Sequence, residues 1–168
     1  NLTRNSFTAR VGYTVARTFM NFVRAVEPLV WALIFISWVG IGPFAGVLAL
    51  WVHSVAALTK LYSEQIESID TGPMEAVAAT GASPLQVLRY GVVPQVIPPF
   101  LSFTIYRWDI NVRMSTIIGF VGGGGIGYIL KPRGDLGEWG EVGTLVVLLA
   151  GTVWLMDVIS AKIRERIV

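Results

Sequence analysis

The 168-residue chain contains no cysteine and only one histidine. Disulfides and thiolate metal sites are therefore excluded, and a single imidazole cannot hold a metal ion without carboxylate or thiolate partners nearby. Charged residues are also scarce, at 14% of the chain against roughly 25% in an ordinary soluble domain. The net charge of +2 is too small to indicate a nucleic-acid partner. The sequence shows no nucleophile elbow, P-loop or metal-binding cluster, so we expect no catalytic activity in this chain.

Apolar residues are what the chain has in excess. They make up 54% of the sequence and give a mean hydropathy of +0.63, which predicts an all-α integral membrane protein. The chain begins at Asn1 with neither an initiator methionine nor a signal-peptide pattern. We therefore treat residues 1–168 as a single transmembrane domain and expect further helices to precede it.

Four apolar segments are candidates to cross the bilayer, over residues 29–41, 44–58, 92–120 and 142–159. Before them, residues 7–26 have apolar positions at helical spacing and a basic face, which is typical of a helix at the cytoplasmic membrane surface. The first two segments are shorter than the roughly 20 residues that a crossing needs, so they depend on flanking residues or surrounding protein. A Gly-Ile-Gly-Pro turn separates them. The sequence predicts a bundle with four crossings.

Lysine and arginine are distributed unequally between the two sides of this bundle. The opposing loop, residues 128–141, contains only Lys131 and Arg133. The side that holds the central polar segment and both termini of the chain contains many more. By the positive-inside rule, the central segment and the C-terminus are cytoplasmic. The basic residues on this side are Arg4, Arg10, Arg17, Arg24, Lys60, Arg89, Lys162, Arg164 and Arg166.

Residues 60–93 form the longest polar interval and carry the pattern of two short capped helices. Pro73 and Glu75 mark the start of the first helix and Gly81 its end, while Ser83 begins the second. The alanines of the first helix give it little side-chain relief, so the backbone of another protein could approach it closely. On these grounds alone, an ordinary interhelical hairpin and a docking loop both stay open.

Three charged residues lie close together in the third apolar segment, where each costs about 2.5–3.5 kcal/mol at the centre of a membrane helix. Asp109 and Arg113 stand at i and i+4, acid before base, which favours a structural ion pair. Arg107 instead shares one helix face with other polar residues, and such a face looks into a bundle interior or an aqueous path. An unpaired arginine there would attract a small anion or bind the carbonyl end of another helix. This polar stripe consists of Thr104, Arg107, Asn111 and Ser115.

His53 and the glycine run at residues 122–127 point less clearly to a function than the polar stripe does. His53 lies in the middle of an apolar segment, where a packed interior histidine is more common than a proton relay, and both interpretations stay open. Residues 122–127 satisfy G-x-G-x-x-G, but they follow no predicted strand and end an apolar segment. We therefore expect close helix packing or an irregular break at this run rather than a dinucleotide site.

The segment from Glu75 to Pro94 resembles the EAA loop of bacterial ABC importer permeases. That motif reads E-A-A, three residues, G, nine residues, I-x-L-P, and it is matched in register at Glu75, Ala76, Gly81 and Pro94. The departures change the contact surface but not the spacing, and they are Val77, Gly91 and Val93.

Further stretches over residues 24–130 resemble the phosphonate/phosphite-type subfamily of these permeases. They include W-A-L-I-F at 31–35, G-P-F-A-G-V-L-A-L at 42–50, Y-G-V-V-P-Q-V at 90–96, I-N-V-R at 110–113, and the glycine run.

The resemblance implies a type I ABC importer permease fold in the bacterial inner membrane, with residues 60–93 as a cytoplasmic coupling loop. The implied partners are a second, identical or related permease, a cytoplasmic ATPase dimer that binds ATP and Mg, and a periplasmic binding protein. No cofactor is implied for this chain itself. The resemblance assigns the path of phosphonate or a related oxyanion to the polar stripe. It assigns ATPase coupling to Glu75, Ala76, Ala79, Gly81 and Pro94.

Two other functions stay open. A permease of the same fold could carry another small solute, such as an amino acid. Alternatively, the polar stripe could line an ion-conducting channel, or the chain could be a membrane scaffold that works without an ATPase. The EAA register argues against this last class, because a passive pore has no need of a coupling helix.

Overall fold

The computed structural model describes residues 7–167, so residues 1–6 and 168 of the predicted domain, including Arg4 of the charge count, lie outside it. The described part consists of eight α-helices and one π-helical turn, with no strand in that part. In chain order they are α1 (Phe7–Ala25), α2 (Pro28–Val39), α3 (Pro43–Glu67), α4 (Gly72–Ala79), α5 (Pro84–Val87), the π-helical turn (Leu88–Val92), α6 (Val93–Phe120), α7 (Ile126–Asp135) and α8 (Trp139–Ile167).

Prolines and glycines set several helix boundaries. Pro28, Pro43 and Pro84 each stand in the first turn of a helix, where the fixed φ of proline fits and its missing N–H is not needed. Gly40 ends α2 with a φ of 87°, in the left-handed region that glycine adopts without strain. The break between the first two apolar segments therefore falls at residues 40–42, where the sequence predicts it.

Length and composition identify two helices that could each cross a membrane alone, Pro43–Glu67 and Trp139–Glu165. The pair α1 and α2 meets the same test only as one span bent by 90°. At 28 residues α6 is about 42 Å long, which exceeds a hydrocarbon core of about 30 Å, but it is not apolar enough to be counted with these two helices. The all-α membrane fold is confirmed for the described residues, whereas the number of four crossings stays a prediction.

Two helices extend into segments that hydropathy assigns to loops. α3 continues through Lys60 and ends at Glu67. The first residues of the loop predicted at 60–93 are therefore the last turns of α3, and the observed loop begins after Glu67. Lys60 Nζ lies 3.4 Å from Glu64 Oε1 at i, i+4 spacing, which stabilises a polar helix. Likewise, the loop predicted at 128–141 is helical as far as Asp135. In both loops the polar residues show where the apolar environment ends, but the residues beyond that point are still helical.

The turn between α7 and α8 is closed by one arginine. Arg133 Nη1 lies 2.6 Å from Glu138 Oε2 and 3.1 Å from Glu141 Oε2. The hydrogen bond to Glu138, together with the charges of both carboxylates, raises the pKa of Arg133 above its ordinary value. The mixed charges predicted for this loop are therefore internally paired.

α1 packs against α3 and bends into α2. Near the C-terminal end of α3, Arg17 Nη1 lies 2.7 Å from Glu67 Oε1. Near the bend, His53 Nδ1 of α3 lies 3.2 Å from Val26 O. These contacts fix α1 on the bundle, while its position at the cytoplasmic membrane surface stays a prediction.

The glycine run after α6 packs closely against the start of α3 and against the end of α6. A Cβ on Gly46 would lie 2.5 Å from Gly123 O, and one on Gly119 would lie 2.6 Å from Gly124 O. Ala32, Ala49 and Ile118 form a buried cluster in the same bundle. A side chain at Gly46 or Gly119 would collide with the backbone. The glycine run therefore allows the close helix packing that the sequence predicts. We call this contact the glycine seam, and its members are Gly42, Gly46, Gly119, Gly122, Gly123, Gly124 and Gly127.

Candidate functional site

The loop between α3 and α6 holds two short helices that meet at a glycine, in the pattern that the capping signals predict. At the start of α4, Asp70 Oδ1 accepts a hydrogen bond from Gly72 N at 2.9 Å. Gly81 follows α4 with a φ of 81°. At the start of α5, Ser83 N donates to Gln86 Oε1 at 2.8 Å within a capping box. No residue of α4 or α5 is buried, so the loop presents its surface to solvent.

The predicted coupling residues share this surface. Glu75, Ala76 and Ala79 are exposed on α4, Gly81 is exposed after it, and Pro94 is exposed in the first turn of α6. Between α4 and α5 is an open concavity of about 640 Å³ with mostly small or apolar walls. A protruding side chain of a partner could enter it. Its walls are Ala76, Val77, Thr80, Gly81, Ala82, Gln86 and Tyr90.

The π-helical turn brings the second half of the loop against the first. Gly91 in this turn is buried, and a Cβ at that position would lie 3.0 Å from Met74 Cα of α4. The EAA motif has isoleucine at the position of Gly91. Because the backbone of α4 comes this close, glycine is the residue that fits here.

One side chain joins the loop to α6. Gln95 Oε1 accepts a hydrogen bond from Asp70 N at 3.0 Å, and Gln95 Nε2 donates to Asp70 O at 3.1 Å and to Gly91 O at 2.6 Å. The amide thus binds the backbone before α4 and the backbone of the π-helical turn at the same time. We call this set of hydrogen bonds the Gln95 clamp.

Three residues of the polar stripe are already hydrogen-bonded within the chain. Asn111 Nδ2 donates to Ser54 Oγ at 2.8 Å, and Ser54 Oγ lies 3.0 Å from Asn111 Oδ1. Thr104 contacts the hydroxyl of Tyr62, which also lies on α3. Ser115 is exposed and donates to a carbonyl of its own helix. Thr104 and Asn111 therefore join α6 to α3.

Arg107 differs from the other three stripe residues. It lies in a cleft of about 410 Å³ that is bounded by α1, α3 and α6. Its Nε is buried and has no hydrogen-bond partner in the part of the chain that the structure describes. We call this the charged cleft, after the charged side chains and the histidine that line it, which are Arg24, Glu27, His53, Lys60, Glu64 and Arg107.

The predicted ion pair of α6 has a third member. Arg113 Nη2 lies 2.9 Å from Asp109 Oδ2 and 2.7 Å from Asp157 Oδ1 of α8. One arginine therefore joins α6 and α8 through two carboxylates. Among residues 7–167, no three His, Cys, Asp or Glu side chains come together as a metal site would require.

Long apolar helices, a polar contact between two of them and an exposed loop at one end define a helical integral membrane protein. A family model described as "Binding-protein-dependent transport system inner membrane component" matches residues 6–165. The chain belongs to this family of transport proteins.

Two relatives show which branch of the family is similar. The phosphite transport system permease protein PtxC of Stutzerimonas stutzeri is 41% identical over 163 residues, which are 97% of this chain and 59% of that protein. PhnE2 of Escherichia coli K12, named for a cryptic phosphonate transport system, is 41% identical over 121 residues, 72% of this chain and 99% of that protein. The chain spans about three-fifths of the length of the phosphite permease relatives that it matches.

The fold is also found in a solved structure. A chain of the MetNI methionine ABC transporter, in an inward facing conformation, is similar with a TM-score of 0.76 at 24% identity, over 99% of this chain and 82% of that chain. At that identity the likeness concerns the fold alone. The predicted type I ABC importer permease fold is confirmed.

The sequence patterns do not predict several residues of the site. Gln95 binds Asp70 from 25 residues away, Ser54 binds Asn111 from 57 residues away, and Asp157 binds Arg113 from 44 residues away. Helical spacing identifies neighbours three or four residues apart, so it cannot find such partners. The one available signal for Ser54 is that it is a polar residue within an apolar segment.

Proposed function

We propose that this chain is the membrane-spanning permease subunit of an ATP-driven importer for phosphonate, phosphite or a related small oxyanion. Its family supports the class of transporter, and relatives named for phosphite and phosphonate transport support the substrate. The observation that carries the proposal is the Gln95 clamp, because it ties an exposed two-helix loop to the helix that contains Arg107. ATP and Mg are bound by a separate ATPase in this proposal.

The loop is the surface that we assign to the ATPase partner. The small side chains of Ala76 and Ala79 allow another backbone to approach α4, and Glu75 in its first turn complements the helix dipole. A displacement of α4 would reach α6 through the Gln95 clamp and through the contact of Gly91 with Met74. Pro94 and Gly81 belong to this route because one begins α6 and the other sets the angle between α4 and α5.

The polar stripe is the part of the proposed path that this chain contributes. Arg107 would contact the oxyanion, since its Nε is buried and has no partner among the described residues. Thr104 and Asn111 would keep α6 against α3 beside it, and Ser115 would extend the polar face. A second permease subunit, identical or related, would complete the path.

The charge distribution supports one orientation of the complex. The excess of lysine and arginine favours a cytoplasmic coupling loop and C-terminus, and the ATPase dimer would bind on that side. The opposite side, with α7 and the turn after it, would then face the periplasm. A periplasmic binding protein would deliver the oxyanion there.

A glycine substitution in the coupling loop tests the proposal in the importer reconstituted with its ATPase and binding protein. Gly81→Ala places an L residue at a φ of 81°, a strain of about 1–2 kcal/mol, so α4 and α5 should reorient. We expect ATP-dependent phosphite uptake to fall at least about fivefold, as a change of this energy implies. Gly134→Ala on α7 is the matched control, because that glycine has no positive φ and has open space around it.

The same assay separates the other functions. Equal uptake by Gly81→Ala and Gly134→Ala would remove the loop from the coupling mechanism. ATP-dependent uptake of an amino acid, with none of phosphite or phosphonate, would assign a different solute. Solute flux without the ATPase would identify a channel.

A further inference from the structure

The charged cleft between α1, α3 and α6 contains more charge than Arg107 alone. Arg24 comes from α1, Lys60 and Glu64 come from α3, and Glu27 lies at the bend between α1 and α2. Charged side chains are costly in hydrocarbon, so a cleft that groups five of them does not face lipid tails. It opens to water, to lipid headgroups or toward another subunit. In an importer, a substrate can pass through a cleft that opens to water or toward the second permease subunit.

Cations outnumber anions in the cleft, and two of the cations are not paired. Lys60 Nζ lies 3.4 Å from Glu64 Oε1, so these two charges largely offset each other. Neither Arg24 nor Arg107 forms an ion pair in the described part of the chain, and their like charges repel each other. An anion between two guanidinium groups removes this repulsion and satisfies their donors.

His53 adds a polar group to the same cleft. Its Nδ1 lies 3.2 Å from Val26 O, and a carbonyl can only accept, so Nδ1 carries the hydrogen. Nε2 is then the ring nitrogen that is left for the cleft. In the neutral ring it accepts a hydrogen bond, which suits the hydroxyl of a singly protonated phosphonate or phosphite.

We propose that the charged cleft binds a tetrahedral phosphorus oxyanion through the guanidinium groups of Arg107 and Arg24, with His53 as a hydrogen-bonding neighbour. This inference rests on the proposed function, because it specifies where this subunit holds the substrate. Glu27 lines the same cleft and repels an anion, so it limits the affinity. A weak site suits a transport path, since an ion that binds too tightly does not leave.

Residues 1–168 contain no cysteine, so a thiol introduced among them can be followed in the complete importer complex once cysteines elsewhere in the complex are replaced. Leu61→Cys introduces a single thiol into the chain at a residue that lines the cleft. Its rates of modification by an anionic and by a cationic thiol reagent are compared in phosphatidylcholine nanodiscs. A positive cleft accelerates the anionic reagent, and bound phosphite slows both reagents. Leu136→Cys, which is 72% exposed between α7 and α8 and lies outside the cleft, is the control.

Charge substitutions in the Leu61→Cys background then identify the groups responsible. Arg107→Gln should lower the ratio of anionic to cationic rates by about tenfold, as expected for loss of one nearby charge, and should abolish protection by phosphite. Arg24→Gln should have a smaller effect in the same direction. Glu27→Gln should strengthen protection, and Arg107→Lys should keep most of the rate ratio.

Three results would overturn the inference. Phosphite could fail to protect the thiol of the Leu61→Cys variant, or it could protect that thiol equally well after Arg107→Gln or Arg24→Gln is added. If ATP-dependent phosphite uptake is normal in either case, the proposed function stands and only the site is wrong. The third result is protection by phosphatidylglycerol in the nanodisc but not by phosphite, which would assign the cleft to a lipid headgroup.

Discussion

The two ends of α6 are held in different ways. At its start, Gln95 forms three side-chain hydrogen bonds to the backbone of Asp70 and Gly91. At its end, the glycine seam packs backbone on backbone, with a Cβ on Gly119 only 2.6 Å from Gly124 O. Hydrogen bonds near solvent exchange with water at a modest net loss, whereas close packing allows almost no displacement. From this difference we predict that α6 is held more rigidly at the seam, the fixed end, than at the loop, the adjustable end.

The largest effect should come from disrupting the fixed end. Gly119→Ala places a methyl group against the backbone of Gly124 and Gly127, so the seam must open at a loss of about 1–3 kcal/mol or more. We expect a clearly lower melting temperature for the purified protein and poor recovery from membranes. Gly151→Ala on α8 is the control, since open space surrounds that glycine and alanine is the better helix former by about 1 kcal/mol. Equal melting temperatures for the two variants would contradict a fixed end at the seam.

A substitution at the adjustable end should affect coupling more than stability. Gln95→Leu removes three hydrogen bonds, each worth about 0.5–1.5 kcal/mol, between the loop and α6. We expect ATP hydrolysis by the reconstituted importer to continue while the amount of phosphite taken up per ATP falls. Gln65→Leu makes the same chemical change at a side chain that forms no hydrogen bond among the described residues. If uptake per ATP is the same in both variants, the clamp does not transmit the motion.

The hydrogen-bonded pair of Asn111, in the middle of α6, and Ser54 of α3 should contribute to stability alone. Ser54→Ala and Asn111→Ala each leave a polar partner without its hydrogen bond, and the double variant removes both groups. A double-mutant cycle on thermal stability should therefore give a coupling energy of about 1 kcal/mol. A coupling energy near zero would mean that α3 and α6 do not depend on this contact.

The smallest effect should come from an exposed ion pair beside the adjustable end. Glu67→Gln removes the charge that faces Arg17, three residues before the backbone that Gln95 binds. Because the side chains of Arg17 and Glu67 are 39% and 49% exposed, salt screens their interaction. We therefore expect a shift in melting temperature smaller than that of Ser54→Ala, and a smaller one still in high salt. A large, salt-independent shift would show that this end is also rigidly held.

Local signals in the sequence predict much of the coupling loop. Gly81 separates two helices, and Ser83 with Pro84 begins the second, because caps act within a few residues of each other. The end of α3 could not be predicted in the same way. Lys60 and Glu64 lower the local hydropathy, but at i, i+4 spacing they stabilise a helix. The apolar segment therefore ends before the helix does.

Helical spacing predicts the polar stripe but not the hydrogen-bond partners of its side chains. The spacing correctly groups Thr104, Arg107 and Asn111 near one face of α6, but it cannot distinguish a side chain that is already bound from one that is free. Asn111 has a partner on α3, whereas Arg107 Nε has none among the described residues. That distinction depends on which helix packs beside the face, and only tertiary structure supplies it.

The π-helical turn at Leu88–Val92 sets the rotational phase between the coupling loop and the polar stripe. α5, this turn and α6 follow one another without a gap, so they form one helical rod. A π-helical turn contains one residue more than an α-helical turn, so it shifts the residues of α5 by about 100° relative to those of α6 compared with an uninterrupted α-helix. Deleting a single residue from this turn would therefore restore an α-helix and leave the surface of α5 in nearly its present direction relative to Arg107. Substitutions that restore α-helical hydrogen bonding without removing a residue would instead turn that surface by about 100°.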